Sequence, residues 1–134
     1  MVRHRLTAKW TYDVGPGLRG TVVRGHLRLV GRGRTVLLSA FERDGDDPGT
    51  ELRRLLAEVP RIPDDRVDET GGHGEIRHAH CLHERDDGRS RWVLHGYTVT
   101  TTGMVRSTVT FDDAADLAWA LDAWRSIEPR IERA

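Results

Sequence analysis

Cysteine, lysine, aromatic side chains and long apolar runs are all scarce in this 134-residue chain. The one cysteine, Cys81, excludes an internal disulfide and any all-cysteine metal site. No apolar run approaches the ~20 residues that a membrane-spanning helix needs. Met1 to Leu6 lead straight into an alternating pattern, without the charged and apolar regions of a signal peptide. Internal repeats, low-complexity tracts and heptads are missing too. What is present, 37% hydrophobic and 31% charged residues, suits one cytoplasmic globular domain spanning residues 1–134. Lys9 is the only lysine among 21 basic residues, a bias we read as the codon composition of a GC-rich bacterial source.

The formal charge is zero, but it is unevenly distributed. Residues 1–34 carry eight basic side chains against Asp13, a net +7, and the remainder carries thirteen against twenty acids, a net −7. Arg24, Arg28, Arg32 and Arg34 are the candidate interaction residues of this basic third. The plainer alternative is that they are solvated or face the chain's own acidic loops. Nucleic-acid domains usually carry net positive charge as a whole, so a nucleic-acid partner is disfavoured against a protein partner.

The periodicity predicts an α+β domain. Leu6, Ala8, Trp10, Tyr12 and Val14 alternate with polar residues, the period of a half-buried strand. Further strands are expected over 21–30 and 35–41, separated by the Gly31–Arg34 turn. Asp47, Pro48 and Glu51 form a helix start, and Leu52, Leu55, Leu56 and Val59 make its apolar stripe. Residues 60–73 read as an irregular loop, a candidate lid or mobile surface segment. Strands follow over 75–84, 91–100 and 104–111, with turns at Asp87-Gly88 and Thr102-Gly103. A closing helix is expected over 113–127, with Leu117, Ala120, Leu121, Trp124 and Ile127 facing the core. The expected order is βββ-α-βββ-α, an antiparallel sheet with its helices packed on one face. An open sheet edge offers a site where two copies can pair.

Residues 75–128, a meander with Gly96-Tyr97-Thr98 feeding the helix from Asp112 to Ile127, resemble the second half of Mog1/PsbP-like proteins. The likeness covers under half of the chain and includes no catalytic motif. It implies a non-enzymatic binding or assembly role.

Histidine supplies the most pointed constellation. His73, His78, His80 and His83 cluster, and His95 lies in the next strand. A two-residue loop at Asp87-Gly88 sets His80 opposite His95 and His78 opposite Tyr97. A loop at Thr102-Gly103 sets Tyr97 opposite Thr108 and His95 opposite Thr110. The pleat then sorts Ala79, Cys81, Trp92, Leu94, Gly96, Val105, Val109 and Phe111 onto an apolar core face. His78, His80, His95, Tyr97, Arg106 and Thr108 share the other face, a polar floor and candidate ligand-binding surface rimmed by Ile76, Leu82, Val93 and Val99.

Three imidazoles so placed are the raw material of a zinc site with one open position, and hence of an enzyme. The alternative, which we favour, is a polar floor with no metal or cofactor. Gly72, His78, His80 and Glu84 match half of the cupin motif, but its second half is absent. The remaining candidates favour structural roles. Cys81 falls on the core face, Gly31-Arg32-Gly33 precedes no phosphate-binding helix, and no Gly-x-Ser-x-Gly occurs. Asp64, Asp65, Asp68 and Glu69 lack calcium-loop spacing and read as a solvated acidic loop. The four tryptophans read as core, though Trp119 lies off the closing helix's stripe, where exposure would mark a partner surface. The first functional expectation is therefore a non-enzymatic protein-binding domain, and the second is a small-molecule or metal-binding protein using the histidine face.

Overall fold

In the computed structural model, which describes residues 3–45 and 47–130, alternation becomes a single dominant sheet. The strands are β1 (His4–Arg5), β2 (Trp10–Tyr12), β3 (Arg19–Val23), β4 (His26–Gly31), β5 (Arg34–Glu42), β6 (Val67–Thr70), β7 (Ile76–Asp86), β8 (Arg89–Val99), β9 (Gly103–Phe111) and β10 (Glu128–Pro129). Helix α1 (Pro48–Ala57) lies between β5 and β6, and α2 (Leu117–Arg125) between β9 and β10. Seven antiparallel strands pair in the order β3-β4-β5-β9-β8-β7-β6, and β1-β2-β10 form a smaller sheet. The class is α+β, as the periodicity predicts.

Local chemistry sets the start of α1 and of the 3-10 turn that leads into α2. The Asp47 carboxylate accepts from the Thr50 amide, and Pro48 occupies the first turn, where its missing N–H costs nothing. Before α2, Asp113 accepts from the Ala115 amide and caps a 3-10 turn over Ala114–Asp116. Asp116 does not cap α2 with its side chain, because Arg34 takes both carboxylate oxygens, at 2.8 and 3.2 Å.

The strand expected through Leu6–Val14 is only Trp10–Tyr12, because the chain bends over 6–9, and Leu117, expected to face the core, is 38% exposed. Four larger expectations require correction. The strand expected over 21–30 is a hairpin: Arg24 and Gly25, at φ 52° and 81°, turn β3 into β4. Asp87 and Gly88 make the corresponding turn at φ 50° and 75°, but Arg-Gly lacks the local side-chain signal of Asp-Gly. The loop expected over 60–73 contains β6, which pairs with β7 and forms one edge of the sheet. Its four residues are too few to display a period. The β8–β9 loop is Thr101-Thr102, closed by the Thr100 amide donating to the Gly103 carbonyl at 2.9 Å. Pairing therefore shifts by two residues, so Tyr97 faces Arg106 and His95 faces Thr108. A shift of two preserves the face; a shift of one would have inverted it.

The fourth correction concerns the helices, which lie on opposite faces of the sheet. Trp124 of α2 is fully buried over Gly96, where an added Cβ would meet its Cδ1 at 2.5 Å. That face and the small sheet enclose the main core, including Trp10, Leu38, Leu94, Val109, Phe111 and Trp124. On the reverse face Leu52 of α1, with Leu55 and Leu56, packs on Ile76, Tyr97, Val99 and Met104. An apolar stripe shows that a helix needs a sheet face without showing which one.

Candidate functional site

The observed registers give the reverse face a simple lattice of cross-strand rows. One row runs Thr21, Arg28, Leu37, Thr108, His95 and His80, from β3 to β7. The next includes Arg106, Tyr97, His78 and Asp68, reaching the β6 edge. His78, His80, His95, Tyr97, Arg106 and Thr108 are therefore brought together, on adjacent rows. His78, His80 and Tyr97 are buried, His95 and Thr108 half-buried, and Arg106 exposed.

A carboxylate–imidazole–imidazole chain organises the floor. Asp68 Oδ1 lies 2.6 Å from His78 Nδ1, and His78 Nε2 lies 2.8 Å from His80 Nδ1. A carboxylate only accepts, so His78 donates from Nδ1. In the neutral rings its Nε2 then accepts from His80 Nδ1–H, which leaves the lone pair of His80 on Nε2. The His80 and His95 ring centres lie 5.3 Å apart, and the Arg106 guanidinium sits 5.7 Å over the Tyr97 ring.

Burial drives the His80 pKa down from 6.5 to about 4, aided by His78 and then His95. Burial also lowers that of His95, with Glu84 opposing and Arg106 reinforcing the fall. Low pKa values leave imidazoles neutral and able to ligate a metal near pH 7. Yet His78 Nε2 is directed at His80, and no group of three His, Cys, Asp or Glu side chains among the described residues is arranged to hold a metal ion. Clefts of about 500 Å³ at Arg89, Ser90, Arg91 and Asp112 and about 450 Å³ beside Trp119 do not include the histidines. His78, His80 and Tyr97 themselves are buried within the fold.

The four candidate arginines are dispersed. Arg24 occupies the β3–β4 turn and Arg32 the β4–β5 turn, while Arg28 projects from the reverse face beside Leu37. Arg34 points to the opposite face, pairs with Asp116 and stacks 4.4 Å over Trp119. Trp119 is half-buried and donates from Nε1 to the Val14 carbonyl at 2.8 Å. These two residues are thus occupied within the fold. Cys81 is half-buried on the core face, and burial raises its thiol pKa.

Comparisons with known proteins show the fold and not the role. No protein-family model and no curated protein matches the chain. Among solved structures, a Bacteroides thetaiotaomicron protein superposes with a TM-score of 0.72 at 13% identity, over 92% of this chain. This chain spans only 46% of that one. A protein of unknown function from Pseudomonas aeruginosa gives a TM-score of 0.48 at 15% identity, over 87% of this chain and 100% of its own. The first of these supports a shared fold.

Two features escape sequence reading. Asp68 is the anchor of the histidine chain, not merely an acid in a solvated loop. Arg77, buried on the core face, donates to Glu75 at 3.0 Å and to the Ile127 carbonyl at 3.1 Å, while Arg125 donates to Glu69 at 3.1 Å. Only the pairing of β6 with β7 places Asp68 on the reverse face and Glu69 on the core face.

Proposed function

We propose that this chain is a non-enzymatic binding domain that docks a protein partner on the half of the reverse face not covered by α1. The supporting observation is that four of the six large exposed apolar side chains among the described residues share this face; Val22 and Leu117 lie elsewhere. Val23, Val30, Leu37 and Phe41, exposed by 46%, 40%, 36% and 42%, all project from that face. Apolar groups of this size left together in water mark interaction surfaces. Arg28 stands among them, which retains part of the basic interaction surface expected from sequence. The Mog1/PsbP-like resemblance of residues 75–128 fits such a role. A cytoplasmic location fits the free thiol of Cys81; no helix among the described residues is long and apolar enough to cross a membrane.

A small-molecule or metal-binding role for the histidine floor is the second reading, favoured by the Asp68–His78–His80 chain. The burial of His78 and His80 ranks it lower, since neither imidazole is open to a ligand. A photo-cross-linking amino acid at position 37, with another at Arg89 as control, separates the readings. The expected result is one discrete protein adduct from position 37 alone, lost in Phe41→Asp. Equal labelling from both positions, or labelling insensitive to Phe41→Asp, would reject docking on this face.

A further inference from the structure

Helix α1 covers only the Ile76–Tyr97–Val99–Met104 part of the reverse face. The same face continues beyond Met104 across the rest of β9 and over β5, β4 and β3 with no helix above it among the described residues, so the helical layer is half built. The exposed apolar groups run from the row of Val30 to the row of Phe41. Those rows are three two-residue steps apart along the strands, about 20 Å. An α-helix covers that span in about 13 residues.

Charge sets the chemistry of the missing layer. Arg19, Arg28 and Arg106 stand on three successive rows of this face, all exposed. None has a carboxylate partner among the described residues, and no acidic residue occupies a face position on β3, β4, β5 or β9. A second copy docked face to face would set arginines against arginines. Resting on the docking reading above, we infer that the partner contributes an amphipathic helix of three to four turns, with an apolar stripe flanked by Asp or Glu. Its stripe covers Leu37 and Phe41, and its carboxylates meet Arg28 and Arg19. Bidentate arginine–carboxylate pairing then fixes the helix direction.

The test uses three labelled 18-residue peptides and fluorescence anisotropy: a leucine-striped helix flanked by Glu, the same stripe flanked by Lys, and a scrambled Glu peptide. The Glu-flanked helix should bind at least about 10-fold more tightly than either control. Leu37→Asp should abolish binding. The Arg19→Glu/Arg28→Glu double reversal should weaken the Glu-flanked helix about 10-fold or more while improving the Lys-flanked one. An unchanged thermal unfolding midpoint would establish that the variants fold. Equal binding of both striped peptides, or an indifferent double reversal, would overturn the acidic chemistry and leave docking intact. A failure of all three peptides while position 37 still yields its cross-link would overturn the helix alone. Loss of that cross-link as well would overturn docking itself. Binding to phosphatidylglycerol vesicles with no peptide preference, or a Leu37-dependent dimer in sedimentation, would assign the face to a membrane or a second copy instead.

Discussion

Leu37 and Leu38 are consecutive on β5 and occupy different environments. Leu38 is 1% exposed within the main core, and Leu37 is 36% exposed on the open half of the reverse face. The difference comes from what covers each face. One side of the sheet is closed by α2 and the small β1-β2-β10 sheet, and the other by α1 over only part of its width. Identical side chains therefore contribute to stability on one side and remain available for contact on the other. The reverse face also carries its polar groups in a graded way. Histidines 78 and 80 are buried and chained to Asp68, whereas Arg28 and Arg106 stand in solvent without a carboxylate among the described residues.

The largest break in this contrast should come from Trp124→Ala. It removes a fully buried indole seated on Gly96 and should cost about 3–5 kcal/mol in chemical unfolding. A loss below about 1 kcal/mol would show that α2 does not close the core. The paired leucines sharpen the comparison. Leu38→Ala should cost about 2–5 kcal/mol and Leu37→Ala less than about 1 kcal/mol. Equal losses would mean that the reverse face is as closed as the core.

A pH dependence carries the comparison to the buried histidines. The His80 pKa of about 4 in the folded chain lies below the ordinary 6.5, so the unfolded chain binds more protons between those values. Stability from this residue is fully present above pH ~6.5 and falls as the pH drops towards 4. His95, also lowered, acts in the same direction. Urea midpoints measured at pH 7.5, 5.5 and 4.5 should decline, and the decline should be shallower in His80→Asn. An identical pH profile in that variant would show that the buried imidazole contributes no linkage.

Much of the sheet is legible from residue order because alternation is local. Asp87-Gly88 set the β7–β8 register, and His80 opposite His95 and His78 opposite Tyr97 followed directly. A two-residue slip in the β8–β9 register left every candidate on its predicted face. The turn at Arg24-Gly25 and the short edge strand β6 were hidden, one for want of a side-chain turn signal and the other for want of length. The link from Asp68 to His78 depends on that hidden pairing and so has no signature in residue order.

Sequence by itself determined the α+β class, the residues that share each face of β7, β8 and β9, the helix start at Pro48, and the β7–β8 pairing. Each depends on groups a few residues apart, through the strand pleat, a cap or a tight turn. Only the tertiary structure decided that α1 and α2 lie on opposite faces, that Arg34 turns away to Asp116 and Trp119, and that half of the reverse face remains open. Those outcomes depend on contacts between distant segments, where several amphipathic elements compete to cover the same apolar surface and the local pattern is the same for each arrangement.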